Sequence, residues 1–335
     1  MFDYNRIKYI CNKYIVLLLV IVTFLLFEQC IVNAESKIVK DDNQTQYNGY
    51  LDQIFNNRGG LNVNNIQRKW LDIAYATQSS TQKLDIFLPN EGIGPFPVII
   101  AIHGGSFVKG DKRDFQVVPI MKALERKYAV VSINYRLSSE VKFPHQINDI
   151  KAAVRWIRAN GGRYTLSTGK IAVWGDSAGG NLAALAGTSD GVTELEDLTM
   201  GNPDQSSHVD AVVDWYGPIN FLTMGNQLQQ LPNNPRNSNV SYIGKSKEEA
   251  PELYVAASPE TYIRSGLPPF FIQHGNVDQI IPLQQSIDFA AKLESVLGKE
   301  KVIFEIIDGA NHLDEKLTTP ENISKVLNFL DSYMK

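Results

Sequence analysis

Cysteine is almost missing from this chain: there are two in 335 residues, Cys11 and Cys30. Both lie in the first 34 positions, so a chain processed beyond that point has no disulfide, no thiol nucleophile and no thiolate-bound metal. Long apolar runs are equally scarce, the one from Tyr14 to Phe27 being shorter than the roughly 20 residues that span a bilayer comfortably. There is no basic block, and the formal net charge of −4 is spread along the chain, which argues against a nucleic-acid partner. Only five histidines are present, so few side chains qualify as a general base near neutral pH. Internal repeats and low-complexity tracts are absent.

The run that is present follows Arg6, Lys8 and Lys13 and is followed by Val32-Asn33-Ala34. A basic start, an apolar middle and small residues before a cut site define a secretory signal peptide. Residues 1–34 are therefore predicted to be removed after Ala34, giving a secreted protein with no stable membrane association; an uncleaved anchor is the alternative. Residues 35–65 are rich in Asn, Gln, Asp and Lys, which predicts a flexible lead-in. About 300 residues remain, enough for one sizeable core without disulfides.

From Ile66 the pattern is that of folded chain. Ile66–Thr77 and Lys83–Leu88 alternate in polarity around Gln78-Ser-Ser-Thr-Gln82, as an antiparallel hairpin does. Phe96–Ile102 and Ala129–Ile133 are nearly continuous β-branched or aliphatic runs, as in strands buried on both faces. Val209–Trp215, Pro269–Gln273 and Val302–Ile307 are further strands. Helical spacing marks 115–127, 144–160, 283–297 and 321–333. Alternating strands and helices predict an α/β fold with a mostly parallel sheet, an antiparallel start and helices on both faces.

The chain is organised around Lys170-Ile-Ala-Val-Trp-Gly175-Asp-Ser-Ala-Gly179. A short apolar run meets Gly-x-Ser-x-Gly and passes directly into an Ala/Leu-rich helical pattern. Ser177 then sits at the apex of a sharp strand-to-helix turn, its hydroxyl exposed above the sheet beside the positive end of a helix. A serine in a tight βα turn without chemistry is the alternative.

In such a sheet, chemistry gathers at the carboxyl ends of the strands. Phe96–Ile102 ends in His103-Gly104-Gly105-Ser106-Phe107, where glycines let backbone N–H groups approach a ligand as an oxyanion hole requires. The candidate donors are Ala178 and Gly105, with Gly104 or Ser106 contributing; His103 is read as fixing this loop. Ser177 needs a base. His145 begins a helix, His208 opens a strand at its amino end, and His274 directly precedes Gly275-Asn-Val-Asp278. His312, in the loop after Val302–Ile307, is left as the base. Asp278 follows the Pro269–Gln273 strand and is the natural orienting carboxylate, with Asp308 as competitor. Ser177, Asp278 and His312 also fall in the nucleophile, acid, base order of this kind of sheet.

With Gln82-Lys-Leu-Asp-Ile-Phe-Leu-Pro89, His103-Gly-Gly105, Asn134-Tyr-Arg136, Phe143-Pro144, Gly175-Asp-Ser-Ala-Gly179 and His274-Gly-Asn-Val-Asp278, residues 66–335 resemble the α/β-hydrolase superfamily. The likeness is to its His-Gly-Gly carboxylesterases, and most to secreted polysaccharide esterases of the acetylxylan and feruloyl type. Ser106 stands where the hormone-sensitive-lipase branch has a third glycine. The resemblance implies a serine ester hydrolase that forms an acyl-enzyme on a small-molecule or polysaccharide ester, with no cofactor and no metal. A serine peptidase or amidase of the same fold and a non-catalytic binding protein are the alternatives.

About 217–265, between two strands, the chain is long and irregular, which predicts a small cap over the site. Phe107, Trp215, Tyr216 and Tyr242 are the candidate pocket walls, core packing being the alternative for each. Arg136 and Asp149 are a candidate buried pair. Asn43, Asn239 and Asn322 begin glycosylation sequons.

Overall fold

The computed structural model describes residue 55 and residues 58–228 and 238–335, side chains at 238 and 239 excepted. The predicted signal peptide, most of the lead-in, Pro232 and its neighbours, and the Asn43 and Asn239 side chains lie outside the described residues.

Eight strands form one sheet: β1 Lys69–Ala74, β2 Lys83–Phe87, β3 Phe96–Ile102, β4 Ala129–Ile133, β5 Leu166–Asp176, β6 Ala211–Trp215, β7 Phe270–Gly275 and β8 Val302–Ile307. Their order is β1-β2-β4-β3-β5-β6-β7-β8. β2 runs antiparallel to both β1 and β4, and every other pairing is parallel. The antiparallel start and parallel body follow the sequence pattern.

Continuous apolar strands arise because both faces are covered. Val98, Ile100 and Ile102 of β3 join one core with Ile147, Ile150 and Val154 of α1 (His145–Asn160), Leu182 of α2 (Ala178–Thr188) and Phe289 of α6 (Leu283–Leu297). Ile99 and Ala101 point the other way, into a second core with Ile120 and with Val326 and Leu330 of α7 (Pro320–Met334). Period-two alternation of side chains thus feeds two helical layers from one strand.

The 115–127 stretch, predicted as one helix, is instead two 3-10 segments, Phe115–Val117 and Pro119–Arg126. Pro119 removes a backbone donor where the helix would continue, and Lys127 ends the second segment in the left-handed region at φ 62°. Between β6 and β7 lie α3 (Phe221–Leu228), α4 (Ser238–Ile243), α5 (Pro251–Ala256) and a 3-10 turn at Pro259–Tyr262.

Ordered contacts begin upstream of Ile66. The Leu61 N–H donates to the Arg113 carbonyl at 2.6 Å, and Arg58 donates to the Leu313 carbonyl at 3.0 Å. Arg58 and Leu61 are therefore anchored, although Gly59, Gly60, Asn62, Asn64 and Asn65 remain exposed; a few attached groups hold this end of the lead-in where apolar periodicity is lacking.

Candidate active site

The first side chain of the site is fixed by its backbone. β5 ends at Asp176, α2 begins at Ala178, and Ser177 between them has φ 52° and ψ −120°. A non-glycine residue in this region is strained and persists only where its surroundings enforce it. Here the enforcement is close packing. A Cβ on Gly175 would lie 2.1 Å from the Gly179 carbonyl oxygen, and one on Gly179 would lie 2.1 Å from that of Ile102. Both glycines are required for elbow, helix and β3 to meet this closely. The Ser177 N–H donates to the Trp215 carbonyl at 2.9 Å, tying the elbow to β6.

The loops after β7 and β8 bring the other two groups. His312 Nε2 is 3.0 Å from Ser177 Oγ, and His312 Nδ1 is 2.8 Å from Asp278 Oδ2. The second oxygen, Oδ1, accepts the Ile280 and Ile281 N–H groups at 2.8 and 2.9 Å. With Nδ1–H donating to the carboxylate, Nε2 is left as an acceptor for the serine hydroxyl. All three residues are buried. Burial pushes the Asp278 carboxyl up, but the His312 and His274 neighbours outweigh it and hold the group well below the ordinary carboxylate range. Asp278 is thus ionised and oriented across the neutral pH range. Asp308, the competitor, accepts from Asn276 Nδ2 at 2.8 Å instead.

His274 lies beneath the acid. Its Nδ1 faces Ser286 Oγ at 2.7 Å, and its Nε2 faces the Ile281 carbonyl at 2.9 Å and Asp278 Oδ2 at 3.3 Å. His145 is exposed at a helix start, and His208 pairs loosely with Asp190 and Asp210. His103 is buried and stacked on Tyr135 with centroids 4.4 Å apart, its Nδ1 2.8 Å from the Gly104 carbonyl. Burial pushes its pKa down to about 4. A neutral imidazole donating to that carbonyl fixes the Gly104–Gly105 peptide.

Of the four oxyanion-hole candidates, Gly104 stands apart: its N–H is directed at the Asp176 carboxyl. Among the described residues, neither the Gly105 nor the Ala178 N–H donates to a backbone carbonyl. Gly105, at φ 107°, and Ser106, at φ 55°, turn the loop sharply beside the elbow. Gln116 and Asp176 are functional neighbours that carry no motif signal beyond the elbow itself. Gln116 Nε2 donates to Asp176 Oδ2 at 2.6 Å, joining the segment after the His-Gly-Gly loop to the residue before Ser177. Burial pushes Asp176 up to about 7, against the opposing pull of Gln116, His312 and the Gly104 N–H.

The four candidate wall residues do not form one surface. Phe107 and Tyr242 stack face to face, 3.7 Å between centroids and 6° between planes, with Phe143 and Phe221 around them. Tyr216 packs edge-on against the His312 ring at 4.8 Å. Trp215 is a correction: its indole points into the second core, edge-on to Trp174, because β6 side chains alternate between faces. It lines a small cleft of about 30 Å³ with Arg58, Gln116 and Asp176, apart from Phe107 and Tyr242. Asn322, which begins a sequon, is buried and donates to Gln273 and to the Leu317 carbonyl, so its side chain is not open to glycosylation in this fold. Among the described residues, no three His, Cys, Asp or Glu side chains gather as metal ligands, and no helix is long and apolar enough to cross a membrane.

The eight-stranded sheet, the strained serine elbow and the residues delivered by the loops after β7 and β8 define an α/β-hydrolase. More narrowly, the chain belongs to the BD-FAE family, whose model matches residues 84–293. It is 32% identical over 245 residues to the esterase LipQ of Mycobacterium tuberculosis, covering 72% of this chain and 56% of the relative. Among solved structures it is similar to a truncated carbohydrate esterase from gut microbiota, with TM-score 0.73, 28% identity, and coverage of 82% of this chain and 99% of the other. A bifunctional GH43-CE protein of Bacteroides eggerthii superposes with TM-score 0.72 and 34% identity over 79% of this chain and 35% of the other. The chain spans about half the length of the curated relatives it matches.

Proposed function

We propose that this protein is a secreted serine ester hydrolase that cleaves short acyl or aryl esters carried by a carbohydrate. The single observation that supports the chemistry best is the unbroken hydrogen-bonded series from Ser177 through His312 to Asp278, with Ser177 at a strained elbow. In the cycle we infer, His312 Nε2 takes the Ser177 proton as Oγ attacks the ester carbonyl, and the oxyanion lies against the Gly105 and Ala178 N–H groups. Asp278 stabilises the imidazolium that forms. Collapse expels the alcohol, which takes the proton from His312, and leaves an acyl-enzyme. Water then enters by the same proton transfers and releases the acid.

Carbohydrate as the alcohol is supported by the likeness to the two solved carbohydrate-esterase and GH43-CE structures. Export is supported by the leader pattern alone; N-terminal sequencing of protein recovered from the medium should read Glu35-Ser36-Lys37, and a retained Met1 would reject cleavage. The decisive experiment is hydrolysis of p-nitrophenyl esters from acetate to decanoate, beside acetylated xylan and a peptide substrate, with Ser177→Ala as control. Fast acetate turnover that falls with chain length is expected, and Ser177→Ala should lose on the order of 10⁴-fold or more in kcat while keeping its fold. Serine-independent turnover would reject the mechanism.

A further inference from the structure

We propose that Arg58 is a positioning residue that straps the loop carrying His312 to the loop following β3, so that the segment before the sheet holds both halves of the site in register. The proposal rests on the ester-hydrolase reading given above.

Four observations carry it. Arg58 Nη1 donates at 3.0 Å to the carbonyl of Leu313, the residue directly after His312. Leu313 has φ 60°, a conformation that a leucine holds only where its surroundings fix it. Among the described residues, Arg58 is the partner of that carbonyl. The same guanidinium lies 5.1 Å over the Phe115 ring, just after the His-Gly-Gly loop.

The neighbouring residues reinforce the second attachment. Phe55 meets Phe115 edge-on at 5.4 Å, the Leu61 N–H donates to the Arg113 carbonyl, and Gly60 approaches that carbonyl so closely that a Cβ would stand 2.6 Å from it. One short segment therefore grips residues 113–115 on one side and residue 313 on the other. Arg58 also lines the small cleft with Asp176 and Tyr216, the tyrosine whose ring lies against His312. Arg58 and Leu313 both lie outside residues 84–293, the range matched by the family model.

Such a strap acts on turnover more than on binding. The Ser177–His312 hydrogen bond must keep its length and angle as the proton moves, and a shift of ~1 Å in one partner is enough to cost on the order of 100-fold in rate. Arginine suits the role because its planar, permanently charged fork can bond a carbonyl and stack on an aromatic face together.

The test uses the full chain with Arg58→Ala, Arg58→Lys and, as control, Arg68→Ala. Arg68 also donates to backbone carbonyls, those of Pro89 and Gly92 at 2.9 Å each, but at the β1 end of the sheet. Two readouts are taken: kcat and KM for p-nitrophenyl acetate, and amide hydrogen exchange across 309–314. Arg58→Ala should lower kcat about tenfold or more with KM within about twofold, and should speed exchange in 309–314. Arg58→Lys, which keeps a charged donor, should recover much of both, and Arg68→Ala should leave both as in wild type.

Wild-type kcat and exchange in Arg58→Ala, or equal losses in Arg68→Ala, would overturn the strap. Should Arg58→Ala not fold, Arg58→Gln carries the same two readouts, with faster exchange expected and unchanged exchange rejecting the proposal. A wild-type protein without serine-dependent ester turnover would remove the functional reading instead, and exchange across 309–314 would still decide the strap.

Discussion

His274 Nε2 lies 3.3 Å from Asp278 Oδ2, the same oxygen that faces His312 Nδ1 at 2.8 Å. The acid of the site is therefore held between two imidazoles, one above it toward Ser177 and one below it in the core. The lower ring is itself fixed at both nitrogens, by Ser286 and by the Ile281 carbonyl. Its role follows from that geometry: it sets where the carboxylate stands, while in the proposed cycle His312 does the proton transfer.

His274→Phe keeps a planar aromatic ring, somewhat larger than the imidazole, and removes the polar contacts. A hydrogen bond to a charged group contributes about 1.5–3 kcal/mol, so kcat on p-nitrophenyl acetate should fall roughly 10- to 100-fold. Asp278→Asn should fall much further, on the order of 10⁴-fold, because an amide no longer selects the tautomer that leaves Nε2 free to accept. Steady-state kinetics on the two variants check the ranking. Equal losses would mean that the lower histidine is part of the proton relay.

Asp176 makes a pH prediction of opposite sign to that of Asp278. Its carboxyl is pushed from 3.8 up to about 7 by burial. In the unfolded chain it ionises near pH 4, so between about pH 4 and 7 the folded state binds the extra proton. The stability this group confers is complete below about pH 4 and is lost as pH rises through about 7. Asp278, held low, contributes stability that is present above the unfolded value and lost as pH falls into the acid range. Urea denaturation of wild type and Asp176→Asn at pH 4, 6 and 8 isolates the first effect. The stability of wild type minus that of the variant should fall by a few kcal/mol from pH 4 to 8, and a constant difference would show that Asp176 does not titrate in the fold.

Much of this architecture was legible because two buried faces leave a simple trace. β3, β4, β8 and α6 read correctly to the residue: β3 and β4 are nearly continuous apolar runs, β8 is an apolar run broken at Glu305, and α6 is a helical stripe between Pro282 and Gly298. β5 begins earlier than its apolar part, at Leu166, because Ser167, Thr168, Gly169 and Lys170 extend the strand without burying side chains fully. The contacts among Ser177, Asp278 and His312 match a strand-end reading that needs only residue type and order. What stayed hidden depends on pairing that residue type and order do not signal: Gln116 with Asp176 and Arg58 with Leu313 across long stretches of chain, and His274 with Asp278 within one turn of loop. None of these leaves a periodic pattern, and a single cation on a backbone carbonyl within an Asn- and Gly-rich stretch looks like any solvated charge. Trp215 misled for a different reason, since its place at a strand end says nothing about which face its ring takes.

The buried pair of Arg136 and Asp149 allows a last test, one of the fold apart from the chemistry. Asp149 is fully buried on α1, and Arg136 follows β4. The carboxylate accepts from the Arg136 backbone N–H at 2.8 Å, from Nη2 at 2.7 Å and from Nε at 3.0 Å, and Gln82 Nε2 adds a fourth donor at 2.7 Å. Three segments, those before β2, after β4 and within α1, converge on one side chain. Removing either partner leaves the other as an unpaired buried charge, which costs about 3–5 kcal/mol, whereas replacing both by apolar groups of similar volume is often near neutral. Asp149→Leu and Arg136→Met should each destabilise strongly, and the double variant should recover more than half of the summed loss. Equilibrium urea unfolding of the four proteins gives the coupling energy. Simple additivity would mean that the backbone N–H and Gln82, and not the guanidinium, are what Asp149 is there to hold.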